Sequence, residues 1–147
     1  MSSMATTPAD RLIRELGLKP HPEGGFYAET WRDAPGGPAR GAGSAILFLL
    51  ARGDRSRWHR VDADEIWHHY AGGPLELSIA AHGGAAVAHR LGDDILGGDR
   101  PQIVVPADAW QSARSLGDWT LVGCTVSPAF RFEGFELAPD GWEPGDR

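Results

Sequence analysis

The sequence has one cysteine, Cys124, and one lysine, Lys19, among its 147 residues. A lone cysteine excludes an internal disulfide framework and suits a reducing compartment. No apolar run approaches the roughly 18 residues that a membrane-spanning helix needs. Met1 to Arg11 lacks the basic, then apolar, then small-residue order of a secretory signal. A cytoplasmic protein without a membrane segment is therefore expected. Basic charge is scarce too: 14 Lys and Arg stand against 20 Asp and Glu, a net charge of −6. That balance argues against a nucleic-acid surface. The 41% of hydrophobic residues is ordinary for one globular domain, and a chain of this size buries roughly two thirds of its unfolded surface.

Thr7-Pro8-Ala9-Asp10 reads as a helix start, with a hydroxyl cap, proline in the first turn and an acid behind it. Leu12, Ile13 and Leu16 form one apolar stripe, and Gly17 ends the helix. Beyond Gly24 the text becomes short β-like runs separated by glycine-rich turns such as Gly72-Gly73-Pro74. The runs are Phe26–Arg32, Ser44–Leu50, Glu65–Tyr70, Leu75–Ala81, Ala86–Leu91, Gln102–Pro106, Trp110–Arg114 and Thr120–Val126. Their number and even spacing predict an all-β sandwich or barrel with one short N-terminal helix. Residues 33–43 read as a polar, mobile loop. A single domain is expected over 7–139, with 1–6 and 140–147 frayed.

One stretch concentrates the chemistry. "WHRVDADEIWHHY", Trp58 to Tyr70, holds three histidines, three acids, two tryptophans and a tyrosine. Around it run Gly53, five residues, His59, five residues, Glu65, six residues, Gly72. This spacing resembles the first motif of the cupin superfamily, Gly-x5-His-x-His-x3-Glu-x6-Gly. "PADAWQSARS", from Pro106, resembles the second, Gly-x5-Pro-x-Gly-x2-His-x3-Asn. "PHPEGGFYAETWRD", "GGPLELS" and "LVGCTVSPAF" extend the likeness, from Leu12 to about Pro139, to a group of small single-domain cupins. The resemblance implies a double-stranded β-helix, or jelly-roll barrel, with a pocket open at one end, and a homodimer. An aromatic strand at 24–32 and an apolar one at 45–50 exceed the needs of one small barrel, which also suggests pairing.

In the superfamily, two histidines and a glutamate of the first motif bind a divalent metal with a third histidine from the second. Here Val61 stands at the second histidine position, Asp108 at a glycine, Gln111 at the third histidine and Ser115 at the asparagine. The resemblance therefore implies either no required cofactor or one weakly bound divalent metal, held by His59, Glu65 and Gln111. "GGFYAETW", 24–31, is also similar to a substrate-binding strand of the dTDP-keto-sugar epimerases, cupins in which a barrel histidine abstracts a proton without metal. His59 matches that base, whereas Gly24 stands where those enzymes carry a phosphate-binding arginine.

These readings predict a small-molecule pocket with isomerase- or epimerase-like acid–base chemistry. His59 is the candidate base, Glu65 the carboxylate that orients and tunes it, and Gln111 a group to steady enolate charge. Two other functions stay open: a metal-dependent oxygenase or lyase, and a ligand-binding protein without catalysis. Trp67, Trp110 and Phe48 are candidate aromatic walls, and Glu23, Tyr27 and Glu29 candidate rim or substrate contacts. Tyr27 or Tyr70 is a candidate general acid. His68 and His69 are neighbours on one strand, so only one can face the lumen. Asp62 and Asp64 are expected to cap their turn. His21, His82 and His89 are expected to be solvated, and Cys124 to be a small core residue.

Overall fold

The structure, a computed structural model, describes residues 6–81 and 84–145. Residues 1–5, 82, 83, 146 and 147, His82 among them, lie outside those described. Among the described residues, alongside single 3-10 turns at Ile95–Gly97 and Phe132–Gly134, one α-helix, α1 (Pro8–Leu16), precedes eleven strands. These are β1 (Lys19–Pro20), β2 (Phe26–Arg32), β3 (Ser44–Ala51), β4 (Arg55–Val61), β5 (Asp64–Gly72) and β6 (Leu75–Ala80), followed by β7 (Val87–Leu91), β8 (Gln102–Val105), β9 (Trp110–Ser115), β10 (Trp119–Ser127) and β11 (Phe135–Leu137). They build two antiparallel sheets, in the orders β1-β2-β3-β10-β5-β8 and β11-β4-β9-β6-β7. The sheets face each other as a jelly-roll barrel.

The helix forms where its caps predict. Thr7 accepts from the Asp10 N–H while Asp10 accepts from the Thr7 N–H, and Gly17 closes the end in a left-handed conformation. Its apolar stripe packs with Leu49, Leu18 and Trp119 on the outside of the six-stranded sheet. Inside the barrel, alternate residues of the strands meet. Phe48, Leu50, Trp67, Leu75, Leu77, Leu91 and Val122 fill one end. The other end holds the cavity described below.

Bulges decide which residues look inward. Between β4 and β9, Ser56 pairs with Ala113 and His59 with Gln111, so two residues of β4, Arg57 and Trp58, oppose one of β9, Ser112. The extra residue brings Ser56 and His59, three apart in sequence, to the same buried face. A second irregularity, between β5 and β10, skips Tyr70. At the motif glycine replaced by Asp108, the backbone keeps a left-handed φ of 68°, one of the few non-glycine residue types that tolerate it.

β1, β4 and β11 do not stand out in the sequence, because they are short or carry charged residues between apolar ones. Asp62 and Asp64 do not cap their own turn. Asp62 accepts from Arg40 and Arg131, and Asp64 accepts from the Ala107 N–H. Those bonds fasten two long connections to the barrel, and Arg40 also donates to the Ala129 carbonyl. After Pro139, where fraying is expected, Trp142 lies against Trp58 and Trp110.

The five residues from His21 to Gly25 form a tight return. The His21 N–H donates to the Gly25 carbonyl, and the Gly24 N–H to the His21 carbonyl. Gly24 has φ 112°, and a Cβ there would overlap the Arg55 carbonyl oxygen. No side chain fits, and an arginine is impossible without moving β4. Gly24→Ala is expected to cost about 3 kcal/mol or more, read as a urea midpoint shift. A loss below about 1 kcal/mol would show that the turn relaxes freely.

Candidate functional site

The open end of the barrel holds a cavity of about 200 Å³. His21, Glu23, His59 and Glu65 form its floor, Tyr27 and Ile46 one side, and Phe130, Phe132 and Phe135 the other, with Lys19, Glu29 and Arg32 at the mouth. The tight return at 21–25 folds Glu23 inward. The Arg57 N–H donates to the Glu23 carbonyl, fixing the turn against β4.

His59 is buried, with its ring tilted against Phe135 at 5.5 Å between centroids. Nδ1 lies 2.7 Å from the Arg57 carbonyl oxygen. A carbonyl only accepts, so Nδ1 carries a proton and Nε2 faces the pair partner. That partner is Glu23, whose Oε2 lies 3.1 Å from Nε2. The Ser56 hydroxyl donates to the other Glu23 oxygen. Two proton arrangements satisfy this contact, neutral imidazole with carboxylic acid or imidazolium with carboxylate, and both hold one shared proton.

Burial sets the electrostatics. It raises the Glu23 carboxyl to about 7, against the lowering effects of the His21 charge and the Ser56 hydrogen bond. Burial likewise raises Glu65 to about 7, with nearby His59 opposing and Glu23 adding to the rise. The His59 imidazole is lowered by burial, and the Glu65 charge and the Arg57 carbonyl act the other way. His21 is lowered by burial first, partly offset by Glu23. Two buried carboxyls are thus held near neutrality beside two imidazoles that burial pushes down, and the groups read one another's charge.

Gln111, fully buried opposite His59 on β9, does not line this cavity. Its Nε2 donates to Glu65 at 2.8 Å, and its Oε1 accepts from the Trp67 indole at 2.8 Å. It is a strut between the sheets rather than a group free to meet an enolate. Trp67 and Phe48 stand behind the cavity floor in the core. Trp110 is on the outside of the barrel, beneath the Arg60 guanidinium and beside Trp142.

Neither histidine of the pair at 68 and 69 lines the cavity. His68 is on the outer face with Thr125 and Tyr70. His69 is the last residue of β5 before the bulge, its Nε2 3.1 Å from the Gly73 carbonyl oxygen and away from the cavity. Tyr70 is exposed, as is His89. His21 is not solvated: its side chain is only 7% accessible, with its ring edge-on to Tyr27 and Phe48. Cys124 is buried beside Glu65, and burial first, then the Glu65 charge, raises its thiol well above the ordinary value and leaves it inert.

The residues present do not fit the divalent-metal site that the motif resemblance implies. Val61 offers no ligand atom. Gln111 turns its N–H toward Glu65 and gives its oxygen to Trp67, so it presents no lone pair beside His59. The His59 Nε2 faces a carboxyl oxygen in hydrogen-bonding contact. Among the described residues no three or more His, Cys, Asp or Glu are arranged to hold a metal ion.

The sequence matches a family model described as "Cupin superfamily (DUF985)" over residues 10–138. It is similar to a protein of Shewanella oneidensis of known structure, at 40% identity over 90% of this chain and 85% of that one, with a TM-score of 0.84. A hypothetical protein from Leishmania major is similar at 31% identity over 90% and 88%, with a TM-score of 0.77. The Bacillus subtilis oxalate decarboxylase shares the fold, at 13% identity, a TM-score of 0.63, and coverage of 80% of this chain and 29% of that one. No curated protein matches the sequence.

Proposed function

The chain belongs to the cupin superfamily, in the family described as DUF985, and from that premise we propose that its barrel binds a small carbonyl compound and moves a proton on the carbon beside the carbonyl. The observation that carries this reading is the His59 Nε2 to Glu23 Oε2 contact of 3.1 Å on the cavity floor. Its active form has lost the shared proton: Glu23 is a carboxylate and His59 neutral. The substrate C–H bond breaks, its proton goes to Nε2, and its electron pair moves onto the carbonyl oxygen as an enolate. The Glu23 carboxylate then balances the imidazolium, and the Arg57 carbonyl holds the ring in place. Return of the proton to the same carbon gives exchange or epimerisation, and its return to the neighbouring position gives isomerisation. Tyr27, which lines the cavity, is the group we assign to meet the enolate oxygen. Glu65 sets the charge felt by His59, and Gln111 fixes Glu65.

Because the active form is the deprotonated one, the rate rises with pH and levels off above the apparent pKa of the pair. Glu23, raised to about 7, puts that rise near neutrality. The test is deuterium uptake from D2O into phenylpyruvate and other small ketones and keto acids, followed by NMR from pH 5.5 to 8.5. Uptake faster than in buffer, climbing through about pH 7, is the expected result. Binding with no uptake above buffer would make the protein a binder and end the acid–base reading.

A further inference from the structure

We infer that the cavity takes a small monocarboxylate, whose acid group is held at the mouth by Lys19. The inference rests on the acid–base reading for the other end of the ligand. Lys19 is the only lysine in the sequence. It sits on β1 in register with Tyr27, and both line the cavity. Its Nζ lies 5.6 Å from the Tyr27 ring centroid, and it makes no ion pair among the described residues.

The neighbouring cation is spent. Arg32 gives Nε and one terminal nitrogen to Glu29, and its other terminal nitrogen to the Phe130 carbonyl. Arg32 and Glu29 cancel, so the mouth keeps the charge of Lys19 uncompensated. That is a local positive point on a protein of net charge −6, and it gives an anion one charged partner at this opening.

Size and walls narrow the ligand. About 200 Å³ is below the roughly 300–1,000 Å³ of drug-sized ligand sites, so a nucleotide sugar does not fit inside. Phe130, Phe132 and Phe135 present an apolar wall for a short or planar body. One ammonium with no free arginine fork suits a single negative charge rather than a phosphate dianion. The class that satisfies both ends is a small keto acid, with its carboxylate at Lys19 and its acidic C–H toward His59 and Glu23.

The single lysine makes the test clean. Reductive methylation with 13C-formaldehyde keeps the charge and labels only Lys19 and the chain's α-amino group. Phenylpyruvate is expected to shift the Lys19 signal saturably, whereas the uncharged phenylacetone and inorganic phosphate are not. By calorimetry, Lys19→Met is expected to weaken phenylpyruvate about tenfold and to leave phenylacetone affinity as it is. Lys19 is exposed, so this variant does not threaten the fold. Equal phenylpyruvate affinity in both proteins, no saturable shift at Lys19, or an equal response to phosphate would each overturn the inference. Lys19-dependent binding without deuterium uptake would uphold the anion site and overturn the acid–base reading. Uptake with Lys19-independent affinity would do the reverse.

Discussion

Glu23→Gln is expected to slow deuterium uptake by about a hundredfold or more, the scale of one positioned acid–base group, while the protein folds and still binds phenylpyruvate. Glutamine keeps the shape of glutamate and can still meet the Ser56 hydroxyl and the His59 ring. It cannot bear the negative charge that balances an imidazolium. The variant therefore separates charge from packing. His59→Ala is expected to lose at least as much, because it removes the atom that receives the proton. The two losses do not add, since the groups act as one pair. In Glu23→Gln the shape of the rise near pH 7 also changes, because the carboxyl that shares the proton with His59 is gone and only Glu65 still titrates beside it. Uptake that stays within a few-fold of the parent, with the same pH profile, would show that Glu23 is a structural acid.

Gln111→Leu is the second large effect, on stability. The substitution strips the Trp67 indole of its acceptor and Glu65 of its amide donor, leaving Glu65 only the weak Cys124 thiol, and both stay buried. Two buried groups so deprived cost about 3 kcal/mol together, roughly 10 °C in melting temperature for a domain of this size. The cost grows with pH. Glu65 already sits near 7, above its ordinary 4.5, so the unfolded chain releases that proton first. The contribution of Glu65 to the parent's stability therefore falls as pH rises from about 4.5 toward 7 and is level beyond. Without the Gln111 donor, the charged form of Glu65 is disfavoured further, and the fall continues to higher pH. Urea melts at pH 5 and 8.5 should show the wider gap at pH 8.5. A loss under about 1 kcal/mol, equal at both values, would show that the strut contributes little.

How much of this was legible in the sequence depends on how local each signal is. The helix was legible because Thr7, Pro8, Asp10 and Gly17 each act on their own backbone. Most of the strands and the cupin likeness were legible too, since turns and motif spacing are also local. Spacing likewise pointed to His59, Glu65 and Gln111, which the fold brings together in the barrel interior. It did not foretell that Gln111 would be occupied by Trp67 and Glu65, because that bond joins opposite sheets.

His21 illustrates the other limit. Between proline and a glycine pair, it reads as a surface turn residue. In three dimensions that turn folds back against Arg55 and Arg57, carrying His21 and Glu23 into the cavity. Glu23 was legible as a rim contact and not as the partner of His59. The His68–His69 ambiguity had a similar origin. Counting by two holds from Glu65 through His69, but position along the strand decides the rest: Glu65 lies at the cavity, Trp67 in the core behind it, and His69 further on beside the Gly73 carbonyl. The phenylalanine wall comes from an irregular segment and a three-residue strand, which carry no periodicity to read. The likeness to the epimerase strand ended at Gly24, where the positive φ and the Arg55 carbonyl leave no room for a side chain.

The central claim is that His59 and Glu23 share one proton, with the imidazole proton fixed on Nδ1. Long-range 1H–15N spectra of 15N-histidine-labelled protein report both nitrogens directly, with the His59 signals identified by their loss in His59→Ala. The account predicts a protonated Nδ1 at every pH, an Nε2 that takes or gives up its proton together with Glu23, and a titration shared by the pair and absent in Glu23→Gln. An Nε2-protonated neutral ring, or a His59 that titrates alone near 6.5 in both proteins, would contradict it.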